Sequence, residues 1–290
     1  MGTLYLVGTP IGNLEDISLR ALRTLGEVPL VAAEDTRRTG RLLAHYEIRT
    51  PLTSYHEHST LKKLGALLTH LESSDLALVS DAGMPGLSDP GFELIREAIA
   101  RGYPIVPIPG PSAIVNALIV SGLPTAGFVY LGFLPRHRAK RRELLESVAR
   151  ERRTLVAYES PRRLVKTLED IQSALGERPL AVARELTKLH EQVLRGTPAE
   201  LLRHFRRQGV KGEITLVVGG ATDQESRLWG KDEVTAAVAE RLAAGEAPAA
   251  AAKAIAELSG HPRREVYQLA VKDQDRGRAK GTQPESGCTL

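Results

Sequence analysis

The sequence predicts an α/β protein made of two consecutive α/β domains, residues 1–122 and 123–222, followed by a helical module at 230–273 and a disordered polar tail at 274–290. Three observations predict it. Short apolar runs alternate with helical patterns and Gly/Pro punctuation, the rhythm of parallel strands joined by crossover helices. That rhythm breaks once, at Gly122, Pro124 and Gly127, and then resumes. After Gly219-Gly220 the texture turns Ala-rich and carries no strand signal. The length of 290 residues leaves room for about two domains at roughly 150 residues each. With 42% apolar and 26% charged residues, the composition is that of a globular protein rather than a fibrous or membrane one.

In the first domain, strands are expected at 4–7, 29–33, 51–55, 77–80 and 104–108, with helical patterns such as 17–25 and 92–101 between them. The second domain reads as strands at 129–133, 155–158, 180–183 and 214–218, with helices at 139–150, 161–175 and 198–205. Ser160 followed by Pro161 predicts a serine-capped start for the middle helix. Helices at 232–244, 248–259 and 262–272 form the module, which has a helix-turn-helix-like layout. No apolar run approaches the roughly 20 residues that span a bilayer, and no basic leader precedes the first apolar run, so a cytoplasmic protein is expected. The single cysteine, Cys288, supports neither an intramolecular disulfide nor a cysteine metal cage.

Ligands of open α/β sheets bind beyond the carboxyl ends of strands, which directs attention to the Gly/Pro-rich loops 8–13, 80–91 and 107–113. The first reads G-x-x-x-G rather than G-x-G-x-x-G, and Pro10 removes an N–H that a phosphate cradle would use, so a dinucleotide fingerprint is excluded. No G-x-x-x-x-G-K-[ST] occurs either. Stiff loops with few phosphate donors suit a nucleoside better than a pyrophosphate.

Eight segments then fall in order: Thr9 to Ser18, Ala33 to Arg37, Ser54 to His58, Ser80 to Gly83 with Ser88 to Gly91, Pro109 to Ala113, Gly132 to Pro135, Tyr158 to Pro161, and Thr187 to Glu191. Together they resemble the small-subunit ribosomal RNA methyltransferases of the tetrapyrrole methylase-like class, over about residues 4–218. The resemblance implies two α/β domains with S-adenosylmethionine in the cleft between them, a homodimer, and 2′-O-methylation of a cytidine near the ribosomal P site. It places cofactor contacts on Pro10, Asp81, Ala82, Gly83, Ser112 and Ala113, with Tyr158 from the second domain. Two positions depart from the pattern: Met84 stands where Thr is more usual, and Gly8 where Ala is.

Methyl transfer from a sulfonium to a ribose hydroxyl needs alignment and a group to accept the hydroxyl proton, and demands no metal. Asp35, Glu57 and Glu159 are the leading candidates, beside Glu34, His56, His58, His190 and Glu191. His56 and His58 have the H-x-H spacing of a metal pair but lack a third ligand in the segment, so no metal is expected. For Asp35 and Glu159, helix capping competes with a chemical role.

Net charge is only +4, yet residues 136–153 carry eight basic against three acidic side chains. That excess fits an RNA phosphate backbone, with Arg136, Arg138, Lys140, Arg141 and Arg142 as contacts. Four Phe, seven Tyr and one Trp are too few for a base-stacking platform, so recognition would rest on charge, shape and one nucleotide in a pocket. The expected partner is small-subunit rRNA or the assembled small subunit. A methylase of a tetrapyrrole or other small molecule, and a non-enzymatic nucleic-acid-binding protein, are the alternatives; the basic segment argues against the first, and cofactor binding would exclude the second.

Overall fold

A computed structural model describes residues 1–56, 59–222 and 229–280. The chain divides into two units, Met1–Ala221 and the residues from Thr222 onward.

The first unit holds two five-stranded sheets. Strands β1 (Leu4–Val7), β2 (Val31–Ala33), β3 (Leu52–Ser54), β4 (Leu76–Val79) and β5 (Ile105–Ile108) pair in the order β3-β2-β4-β1-β5, all parallel. The central strands are apolar throughout because both faces are covered. Ala77 and Val79 of β4 pack with the helices α1 (Leu19–Glu27) and α2 (Thr36–His45). Leu76 and Leu78 point the other way, to α3 (Leu61–Leu71) and α4 (Phe92–Ala100). This is a doubly wound layer whose loops after β1, β2, β4 and β5 gather at one edge.

Helix α5 (Ala113–Ser121) leaves this sheet and packs elsewhere. Its Ile114, Ala117 and Leu118 join Val156, Ala181, Ala183 and Val217 of the second sheet in one buried cluster. The chain thus passes from the first sheet to packing against the second through the loop 109–112, ahead of the hinge residues Gly122, Pro124 and Gly127.

The second sheet runs β6-β7-β10-β8-β9, from β6 (Phe128–Phe133), β7 (Thr154–Glu159), β8 (Leu180–Arg184), β9 (Gln192–Gly196) and β10 (Ile214–Val218). Only its β6/β7 pair is parallel; β10 runs antiparallel to β7 and β8, and β8 to β9. Leu155, Ala157, Leu216 and Val218 face α6 (Arg138–Ser147), α7 (Leu164–Leu175) and α8 (Pro198–Gln208). Val156, Val217 and Tyr158 face α5. The expected serine cap is not made: α7 begins at Leu164, and Ser160 instead starts a turn in which its carbonyl accepts the Arg163 N–H at 3.0 Å.

The second unit contains α9 (Lys231–Ala243), α10 (Pro248–Ser259) and α11 (Arg263–Lys280), packed through Val234, Val238, Ala252, Ile255, Val266 and Ala270. Helix α11 continues past the expected end at 273, through residues assigned to a tail; 281–290 lie outside the described residues. Among the described residues no helix is long and apolar enough to cross a membrane.

Candidate active site

The loops after β1, β4 and β5 are tied into one rim. Thr9 and Gly83 exchange backbone hydrogen bonds at 2.9 and 3.0 Å, and the buried Thr9 hydroxyl donates to the Ser80 carbonyl at 3.0 Å. Gly8 and Gly110 meet backbone to backbone: a Cβ on either would lie 2.7 Å from the other's Cα, a distance real Cβ atoms do not reach. The same Cβ on Gly8 would lie 2.7 Å from Met84 Sδ. Met84 thus fills the space that a side chain at position 8 would take.

Between this rim and the second sheet lies a cavity of about 350 Å³. Asp81, Ala82, Gly83, Ser112 and Ala113 border it from one side, and Tyr158 from the other. Six of the seven sequence-predicted cofactor positions are thus brought together; Pro10 is not among the bordering residues, and its neighbour Ile11 is. Ser112 also caps α5, its hydroxyl accepting the Val115 N–H at 3.5 Å. Tyr158 packs edge-on against Tyr130, centroids 5.5 Å apart, and at a tilt against Phe133 at 5.1 Å. Burial pushes its phenol pKa up, reinforced by Tyr130 and Asp89.

The predicted bases fare differently. Asp35 caps α2, accepting the Arg37 N–H at 2.9 Å, and its carboxylate is bridged by the Arg37 guanidinium at 2.8 Å. That hydrogen-bonded pair holds its pKa well below the usual carboxylate range, which makes Asp35 a poor proton acceptor. Glu159 borders the cavity, but its side chain is 0% exposed. Its carboxylate receives Ser160 N–H at 2.6 Å, Thr167 Oγ1 at 2.5 Å and the Arg163 guanidinium at 2.5 Å. Strand alternation explains this, since Tyr158 faces the cleft and its neighbour must face α7. Glu57 lies outside the described residues, as does His58. His190 is exposed, and Glu191 Oε2 accepts the Thr187 N–H at 2.6 Å; neither borders the cavity.

Three carboxylates from two loops do gather there: Glu34, Asp81 and Asp89. Asp81 Oδ1 accepts the Asp35 N–H at 3.0 Å, its Oδ2 pairs with Arg38 at 3.2 Å, and its own N–H donates to Glu34 Oε2 at 3.3 Å. Burial raises the pKa of Glu34. Burial and then repulsion from Glu34 push Asp89 up to about 6. Among the described residues no three or more His, Cys, Asp or Glu side chains converge as metal ligands would. Asp89 lies in the Ser88 to Gly91 segment but was not among the candidate bases, because burial and charged neighbours are not visible in a motif.

The basic segment is corrected at one residue. Arg141 does not face solvent: its side chain is 3% exposed and pairs at 2.6 Å with Asp170, which is 0% exposed. Its Nη1 donates to the Pro135 carbonyl at 3.3 Å. Arg138 bonds the other Asp170 oxygen at 2.9 Å while remaining largely exposed. Arg136, Lys140 and Arg142 are exposed. Just before them, Phe133 borders the cavity and is 59% exposed.

The family model for tetrapyrrole (corrin/porphyrin) methylases matches residues 3–202. The chain belongs to the tetrapyrrole methylase family. Within that family its curated relatives include the ribosomal RNA small subunit methyltransferase I of Synechocystis, 46% identical over 274 residues that cover 94% of this chain and 98% of that one. The protein of the same name from Thermotoga maritima is 49% identical over 221 residues, 76% of this chain and 99% of its own. The methylase fold also matches the uroporphyrin-III C-methyl transferase of Thermus thermophilus, solved with S-adenyl homocysteine, with TM-score 0.53 at 22% identity, covering 75% of this chain and 97% of that one.

Proposed function

We propose that this methylase transfers the methyl group of S-adenosylmethionine to the ribose 2′-oxygen of a cytidine in small-subunit (16S) ribosomal RNA near the P site, acting as a cytoplasmic homodimer. The observation that carries the reading is the cavity at the carboxyl edge of the parallel sheet, together with relatives named for small-subunit rRNA methylation.

The residues present suit the cofactor. About 350 Å³ falls within the range of small-molecule pockets, and the lining mixes apolar walls with carboxylates that complement a cationic sulfonium and ammonium. The Gly8 and Gly110 approach leaves backbone where side chains would fill the rim. Asp81, Ala82, Gly83, Ser112, Ala113 and Tyr158 would hold the ligand, with Pro10 stiffening the rim loop. When bound, it supplies an activated methyl group and a neutral leaving group.

The chain's remaining task is to align the acceptor oxygen and exclude water. Phe133 presents an aromatic face at the cavity mouth, where a flipped-out base could stack. Arg136, Arg138, Lys140 and Arg142, on or next to α6, supply charge for the flanking phosphates, whereas Arg141 serves the fold. Exposed Phe92 and Ile99 on α4, with Val115 and Ile119 on α5, offer apolar surface for pairing two copies.

The test is transfer of labelled methyl groups to small subunits from cells lacking the protein. Label on a cytidine ribose supports the reading; label on a porphyrinoid and none on rRNA overturns it.

A further inference from the structure

We propose that Asp89 takes the proton from the ribose hydroxyl as that oxygen is methylated. The proposal rests on the ribose-methylation reading and deepens it.

Most of the other acidic groups bordering the cavity are held by a cation or by several donors, and Glu34 accepts one backbone N–H. Glu159 is buried under three donors. Glu213 pairs with Lys188 at 3.0 Å and points largely into solvent. Asp81 is held by Arg38 and the Asp35 N–H, and Glu34 by the Asp81 N–H. Arg38 is therefore neutralised by Asp81 rather than by Asp89. Asp89 borders the cavity with Glu34, Asp81 and Tyr158, accepts a hydrogen bond from the Ser80 hydroxyl, and lies within electrostatic reach of Glu34, Asp81, Tyr130 and Tyr158.

The loop that carries Asp89 is clamped across the cleft. Ser88 Oγ lies 2.7 Å from the Tyr130 hydroxyl, and Ser88 adopts a left-handed φ of 61°. Such backbone strain in a non-glycine residue persists only where its surroundings enforce it, and it concentrates at working sites. The clamp fixes a carboxylate between two domains, on the wall that faces both Tyr158 and the cofactor rim.

A pKa raised to about 6 leaves Asp89 ionised at neutral pH yet more basic than an ordinary carboxylate, which suits a proton acceptor. In the step, the ribose oxygen bonds to the methyl carbon while the carbon–sulfur bond breaks. The electron pair of the broken bond stays on sulfur, giving a neutral thioether. The hydroxyl proton passes to the Asp89 carboxylate and then to water.

The test compares wild type with Asp89→Asn. Calorimetry should give S-adenosylhomocysteine affinities within about threefold of each other, while methyl transfer to small subunits falls about 100-fold or more. The wild-type rate should rise with pH up to about 6 and then level, and the variant's residual rate should lack that rise. Carbon-13 titration of the Asp89 carboxyl in cofactor-free protein should fall near 6. Transfer by wild type with a variant rate within threefold, or a titration near 4, overturns this proposal alone. Absence of transfer to small subunits by wild type overturns the ribose reading and this proposal with it.

Discussion

A carboxylate held half-buried beside two others is a cost to the folded state, and Asp89 makes that cost measurable. Its folded pKa of about 6 lies above the ordinary value near 3.8, so the native protein binds more protons than the unfolded chain between those values. Stability at this position therefore falls as pH rises from about 4 to 6 and stays lower above that. Asp89→Asn should stabilise the protein at pH 7 by about 1 kcal/mol, discounted for partial exposure, and by nothing at pH 3. Urea melts at both pH values check this. Phe133→Ala should raise KM or lower kcat on small subunits by about tenfold, the loss of one base stack, with a smaller change in S-adenosylhomocysteine affinity through its packing on Tyr158. Gly8 and Met84 should couple: Gly8→Ala forces contacts on Met84 Sδ and the Gly110 backbone, an overpacking cost of about 1–3 kcal/mol. Adding Met84→Thr should recover part of it, as a double-mutant cycle would read. That Gly8 and Met84 face each other required the fold, because they sit on different strand-end loops.

Helix α6 shows how far a charge run can be read. The excess of Arg and Lys on and just before it was plain, but one of the five side chains is buried against Asp170, a residue on α7 that no pattern links to it. Arg136→Glu with Lys140→Glu and Arg142→Glu should weaken RNA binding at least tenfold at 0.1 M salt and flatten its salt dependence, leaving cofactor affinity unchanged. Filter binding against salt checks this. Arg141→Ala should instead destabilise the fold by about 3 kcal/mol, because Asp170 stays buried with only the exposed Arg138 as partner. Strand β9 was missed for a related reason: at the sheet edge, Gln192 to Gly196 offers only two apolar residues, and its half-buried pattern gives little signal. The direction of β8 and β10 was equally hidden, since strands covered on both faces read as apolar runs whichever way they point.

At the scale of the molecule, the first sheet was legible from its rhythm, whereas the cleft was not. It exists because α5 crosses over and packs on the second sheet, which carries the loop 109–112 over the gap and brings Ser112 and Ala113 opposite Tyr158. Every residue bordering the cavity belongs to the unit Met1–Ala221. The Thermotoga maritima relative, spanned to 99% by a 221-residue match, leaves little room for a counterpart of the second unit. A chain ended at residue 221 should therefore keep its S-adenosylhomocysteine affinity within about threefold, as calorimetry would show. The central claim, methylation of a cytidine ribose in 16S rRNA, is tested most directly by mass-spectrometric mapping of ribose-methylated nucleosides in rRNA from cells lacking this protein. The account predicts one cytidine near the P site that loses its 2′-O-methyl group and regains it when the wild-type chain is restored. An unchanged methylation map would contradict it.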